Sequence, residues 1–135
     1  MAKTRIGSNA TFTGTGKGLS YVGDFVMAYS GELSANNNET TYLLFQTGKG
    51  VITGMLQFNA TNELAQEFRY RIYFNGVQVQ SYLAGNNAPD YRSKPDTPIP
   101  LVIPPLTEVK CTALNLDDSV SGTQICSFTG RHYNA

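Results

Sequence analysis

The stretch EFRYRIYFNGVQVQSYL (residues 67–83) alternates apolar and polar side chains up to an Asn-Gly pair, and a second strand-like run follows it. A period of two marks a strand with one buried face, so Phe68, Tyr70, Ile72 and Phe74 point inward while Arg69 and Arg71 point outward. Asn75-Gly76 has the residues of a two-residue type I′ turn, because both tolerate a positive φ. The segment therefore reads as an antiparallel hairpin.

Working outward, the same alternation recurs while helical periodicity is nearly absent. SYVGDFVMAYS (20–30) reads as one strand with Tyr21, Phe25, Met27 and Tyr29 on a common face. TYLLFQ (41–46) is a short apolar strand, and GVITGMLQFNA (50–60) places Ile52, Leu56 and Phe58 on one side. The prolines of PIPLVIPPLTEVKC (98–111) punctuate an otherwise good strand. Proline has no N–H to give a ladder, so Pro98 and Pro100 confine IPLVI to a sheet edge. Pro104-Pro105 ends that strand and turns the chain into LTEVKCTALN (106–115), which returns after LDDSVSG as TQICSFTGRHY (123–133). ELSANNNET (32–40) and AGNNAPDYRSKPDTP (84–98) are the longer loops, and TNELAQE (61–67) is the one helical candidate.

About eight closely spaced strands with no intervening helices imply an all-β fold, an antiparallel sandwich or barrel, with the antiparallel β-sandwich expected; seven strands would suit an immunoglobulin-like sandwich. Eight strands fit a jelly roll best. The expected organisation is an N-terminal arm over residues 1–10 and one sandwich domain over 11–135. A chain of 135 residues suffices for a single core, since folding at this size buries roughly two-thirds of the unfolded surface.

Charge narrows the function classes. Charged residues make up 15% of the chain, and ten basic residues balance ten acidic ones. A neutral chain lacks the basic footprint of a nucleic-acid binder and favours association between copies. No apolar run has the length of a membrane span, and the start of the chain has no signal-peptide core. The expectation is synthesis in a cytoplasm, with Asn9, Asn38 and Asn59 as turn residues rather than glycosylation sites.

The chemistry-bearing residues are sparse. His132 is the single histidine and reads as a strand-end residue; no G-x-S-x-G elbow is present. TGTGKG (13–18) lacks the spacing and the following helix of a P-loop and reads as a turn. Asp90, Asp96, Asp117 and Asp118 match no calcium motif. Catalytic, cofactor and metal residues are thus expected to be none, and the chain is expected not to be an enzyme. A hairpin turning at Asp118–Ser119 would set Cys111 opposite Cys126, both pointing inward, either as small buried thiols or as a cross-strand disulfide. Arg69, Arg71 and Tyr73 form an outward basic-aromatic stripe, and Arg and Tyr are enriched at subunit contacts. Tyr91, Arg92 and Lys94, in the loop 84–98, are the candidate receptor contacts.

The C-terminal third, IPLVIPPLTEVKCTALN followed by TQICSFTGRHY, resembles the closing strands of small single jelly-roll capsid and virion-surface proteins of double-stranded DNA viruses and phages. An I-P-P-x-T-x-V corner precedes the last hairpin there, and a T-G-R-x-Y strand ends the chain. The resemblance spans residues 67–133. It implies a non-enzymatic shell component in the virion, assembled in the host cytoplasm. Its partners would be copies of itself in a symmetric oligomer, a pentamer being one arrangement, and other capsid proteins. No direct nucleic-acid contact and no membrane insertion are expected. The alternative is a decoration, receptor-binding or carbohydrate-binding sandwich, for which eight tyrosines and no tryptophan supply the aromatics.

Overall fold

The computed structural model describes residues 18–35, 37–60, 67–85, 98–116 and 122–133. Ten strands lie among them: β1 (Ser20–Val22), β2 (Phe25–Tyr29), β3 (Leu33–Ala35), β4 (Thr40–Gln46), β5 (Val51–Ala60), β6 (Glu67–Phe74), β7 (Val77–Gly85), β8 (Ile99–Ile103), β9 (Glu108–Asn115) and β10 (Gly122–Tyr133). One sheet runs β1-β2-β10-β5-β8, with β3 also pairing β10; the other runs β4-β9-β6-β7. Every ladder is antiparallel, so the expected all-β sandwich is the fold.

The pairings are nested. β6 pairs with β7, β5 with β8, β4 with β9, and both β2 and β3 with β10, each pair enclosing the one before it. Ladders between β5 and β10 and between β6 and β9 join these pairs sideways into sheets. Most connections cross from one sheet to the other. The chain is in effect one long hairpin wrapped into two layers.

The innermost hairpin follows the sequence reading. Asn75 and Gly76 both have positive φ, 51° and 82°, as a type I′ turn requires. Phe68, Tyr70 and Ile72 are buried, while Arg69 and Arg71 lie on the outer face. Ile72 pairs with Gln80 but Tyr73 with Gln78, which makes Val79 a bulged residue.

The N-terminal portion departs from the expectation. The run 20–30 is two strands, because Gly23 at φ 60° turns the chain between β1 and β2. The face packed on the core is Val26 and Ala28; Phe25 and Met27 point outward. β3 occupies part of the expected loop 32–40. These two changes account for ten strands rather than eight. Of the helical candidate 61–67, Glu67 opens β6 and residues 61–66 lie outside the described residues. The whole of the expected N-terminal arm, residues 1–10, and the domain start as far as residue 17 lie outside them as well.

Aromatic side chains fill the space between the sheets. Phe58 of β5 stacks on Tyr70 of β6 with ring centroids 4.0 Å apart, and Tyr42 meets the edge of Phe58 at 6.2 Å. Burial of each large apolar side chain contributes about 1.5–3 kcal/mol. The hydroxyls of these two buried tyrosines have partners: Tyr70 Oη donates to Gln124 Oε1 at 2.9 Å, and Tyr42 Oη to the Leu33 carbonyl at 3.1 Å. Tyr42 is itself a bulge residue, skipped between the pairs Thr41–Thr112 and Leu43–Cys111, so that it and Leu43 both point inward. Burial, and secondarily the nearby Cys126, raises the Tyr42 phenol well above its ordinary range.

The proline-rich corner is held by hydrogen bonds. β8 lies at the edge of its sheet, with Pro100 opposite Met55 of β5. After Pro104-Pro105 the chain passes through Leu106 at φ 55° into β9. Thr47 secures the bend: its N–H donates to the Thr107 carbonyl at 2.9 Å and its hydroxyl to the Pro104 carbonyl at 3.1 Å. Leu106 N–H donates to the Gly48 carbonyl at 2.7 Å, and Glu108 N–H to Asn75 Oδ1 at 2.9 Å. The turn at 47–50 and the Asn-Gly turn thus both dock on the corner.

The final hairpin expected from the sequence is not a hairpin. β9 sits between β4 and β6, whereas β10 sits between β2 and β5 in the other sheet. Cys111 and Cys126 therefore belong to facing sheets rather than neighbouring strands. Both are free and fully buried, with their thiols within hydrogen-bonding reach across the core.

Candidate interaction surfaces

The outer face of the β4-β9-β6-β7 sheet carries the basic-aromatic stripe. Glu39, just before β4, pairs with one of its two arginines. Arg71 Nη1 lies 2.9 Å from Glu39 Oε1, Tyr73 Oη donates to Oε2 at 2.7 Å, and Thr112 Oγ1 donates to Oε2 at 2.5 Å. Burial alone would raise the Glu39 carboxyl; the hydrogen bonds from Thr112 and Tyr73 and the Arg71 charge outweigh it and hold it below the usual carboxylate range. The Tyr73 phenol is raised, first by its bond to Glu39. Lys110 Nζ rests 4.7 Å above the Tyr73 ring, and Arg69 reaches Ser81 Oγ at 3.5 Å. The three residues do share one face. Arg71 is neutralised and, with Tyr73, braced by a single carboxylate, while Arg69 and Lys110 lean on a hydroxyl and an aromatic ring.

Tyr91, Arg92 and Lys94 lie outside the described residues. His132 sits in β10, half-buried, with its ring edge-on to Tyr21 at 5.5 Å. Among the described residues, no three of His, Cys, Asp and Glu gather closely enough to hold a metal ion.

A second surface was not picked out from the sequence. Register places Val22, Phe25, Arg131, Thr53 and Val102 in one row across the outer face of the other sheet, and Met27, Thr129, Met55 and Pro100 in the next. Phe25 is 56% exposed, Met55 50% and Val102 66%. A groove of about 400 Å³ runs between Val22, Phe25, Met27, Thr129 and Arg131. The Arg131 guanidinium lies 5.0 Å from the Phe25 ring centre and 5.9 Å from that of Tyr133, with the Asp24 carboxylate 3.9 Å away. Contiguous exposed apolar surface of this kind marks interaction sites. Its signal in the sequence is that strands 25–29 and 51–60 carry apolar residues on both parities.

Comparison with known protein families and with curated proteins finds no match to this chain.

Proposed function

We propose that the chain is a non-enzymatic structural subunit of a virus particle, a single jelly-roll capsid protein that assembles with copies of itself and with other shell proteins. The observation that carries this reading is the nested pairing, first strands on last and β6 on β7 at the centre. A long hairpin rolled into two layers is the connectivity of the jelly roll, an architecture used by capsid, lectin and cupin domains. Within that group, two features favour a shell component. Stacked aromatics fill the space between the sheets, and the neutral chain lets many copies pack without mutual repulsion.

Electron microscopy of the purified protein tests the proposal. Rings, sheets or closed shells are the expected result. A strict monomer at high concentration by analytical ultracentrifugation, with no incorporation into particles on co-expression with shell proteins, overturns it.

A further inference from the structure

We propose that the outer face of the β1-β2-β10-β5-β8 sheet is a self-association surface, on which a second copy of this chain packs face to face about a two-fold axis. The proposal rests on the assembly reading above and names a contact that reading leaves open.

Three observations select this occupant. Two adjacent rows expose Phe25 and Met27 of β2, Met55 of β5 and Val102 of β8, three strands that flank Thr129 and Arg131 of β10, an apolar surface that water wets at a cost. The charge on the face is self-complementary. Arg131 is the one charged side chain in the two rows, Asp24 stands at the rim beside it, and both are about half exposed (52% and 55%). A two-fold axis sets each cation against the other copy's anion, which is the condition for an isologous contact. Finally, the sheet's edges are poor in pairing capacity. Pro100 interrupts the donors of β8 at one end, and β1 at the other has three residues. A partner is therefore received on the face and not by strand addition.

The test uses sedimentation velocity over a range of concentrations, with Val77→Glu, an exposed substitution on the β6–β7 hairpin, as the control. Wild type and control are expected to associate. Phe25→Glu and Met55→Glu, both outward-facing, are expected to retain the wild-type circular dichroism and to weaken association by about tenfold or more. The Asp24→Arg and Arg131→Asp variants should each be monomeric alone and form a one-to-one heterodimer when mixed, a result that a merely structural role for the pair does not produce.

Association or shells that persist unchanged in both Glu variants overturn this contact while leaving the assembly reading intact. A dimer abolished by those variants, with no particles under any condition, supports the contact and counts against the virion role. A wild-type chain that stays monomeric, or that stays monomeric while floating with neutral phosphatidylcholine vesicles, overturns the contact outright.

Discussion

Thr47 and Thr107, 60 residues apart, are bound to each other twice: Thr47 N–H donates to the Thr107 carbonyl, and Thr107 N–H donates to Thr47 Oγ1, both at 2.9 Å. Both residues are buried. The same Thr47 hydroxyl donates to Pro104, so one oxygen serves both sides of the proline bend. Thr47→Val keeps the shape and removes that oxygen, leaving the Thr107 N–H buried without this acceptor. A loss of about 1–3 kcal/mol in urea denaturation is expected. A change within the error of the measurement would show the bend to be held by the prolines alone.

Glu39 makes stability depend on acid. Its carboxyl is lower in the fold than in the unfolded chain, so its contribution is present above the ordinary carboxylate range and is lost as pH falls through the depressed value. The urea midpoint of the wild type should fall towards acid, and Glu39→Gln should lie below the wild type near neutrality with a shallower acid slope. Parallel curves for the two proteins would contradict this.

Gly54 and Gly130 face one another on β5 and β10 in a row that points into the core. A Cβ on Gly54 would meet the Thr129 carbonyl oxygen, the Gly130 Cα at 2.7 Å and the Phe128 ring at 2.8 Å; one on Gly130 would meet the Thr53 carbonyl oxygen and the Gly54 Cα at 2.9 Å. Space, not φ, excludes a side chain. Gly130→Ala is expected to cost about 1–3 kcal/mol or more, read as a lowered Tm, whereas Gly48→Ala, which meets nothing, should leave it in place.

Burial, and then its hydrogen bond with Cys111, raises the Cys126 thiol well above its ordinary range. Neither cysteine should react with an aromatic disulfide reagent in native buffer, and both should react at once in denaturant. Rapid native labelling would mean that the sheets separate readily. Cys126→Ser should destabilise more than Cys126→Ala, because it places a stronger polar group in the same apolar site.

Elements whose two faces differ in polarity were legible in the sequence. The 67–83 hairpin has arginines on one side and aromatics on the other, and Asn-Gly marks its turn, though not the bulge at Val79. The proline runs marked β8 as an edge strand, because a missing N–H has only one reading. The strand 25–29 was not legible in this way. Period two says that residues alternate, not which set goes inside, and here the larger side chains, Phe25 and Met27, are outside while Val26 and Ala28 are inside. The outer apolar face was missed for that reason. Cys111 and Cys126 show the other limit: parity correctly turned both inward, but which sheet a strand joins depends on crossovers that local patterning does not encode. Arg71 and Tyr73 were placed on the right face, yet their bonds to Glu39, 32 and 34 residues earlier, are a tertiary fact.

The nested pairing also sets a timetable for synthesis. β6 and β7 can close as soon as both have left the ribosome, since their ladder is local and the entropy of closing it is small. β2 can pair with β1 and β5 with β8 earlier, but the edge of each that faces the middle of the sheet waits for β10, the last of the ten strands to be translated. Until it arrives, the two halves of the sheet, with Val26 on one and Ile52 and Leu56 on the other, have no strand to join them. A nascent chain in that condition presents apolar strand on both sides, which makes it a natural client for a co-translational chaperone.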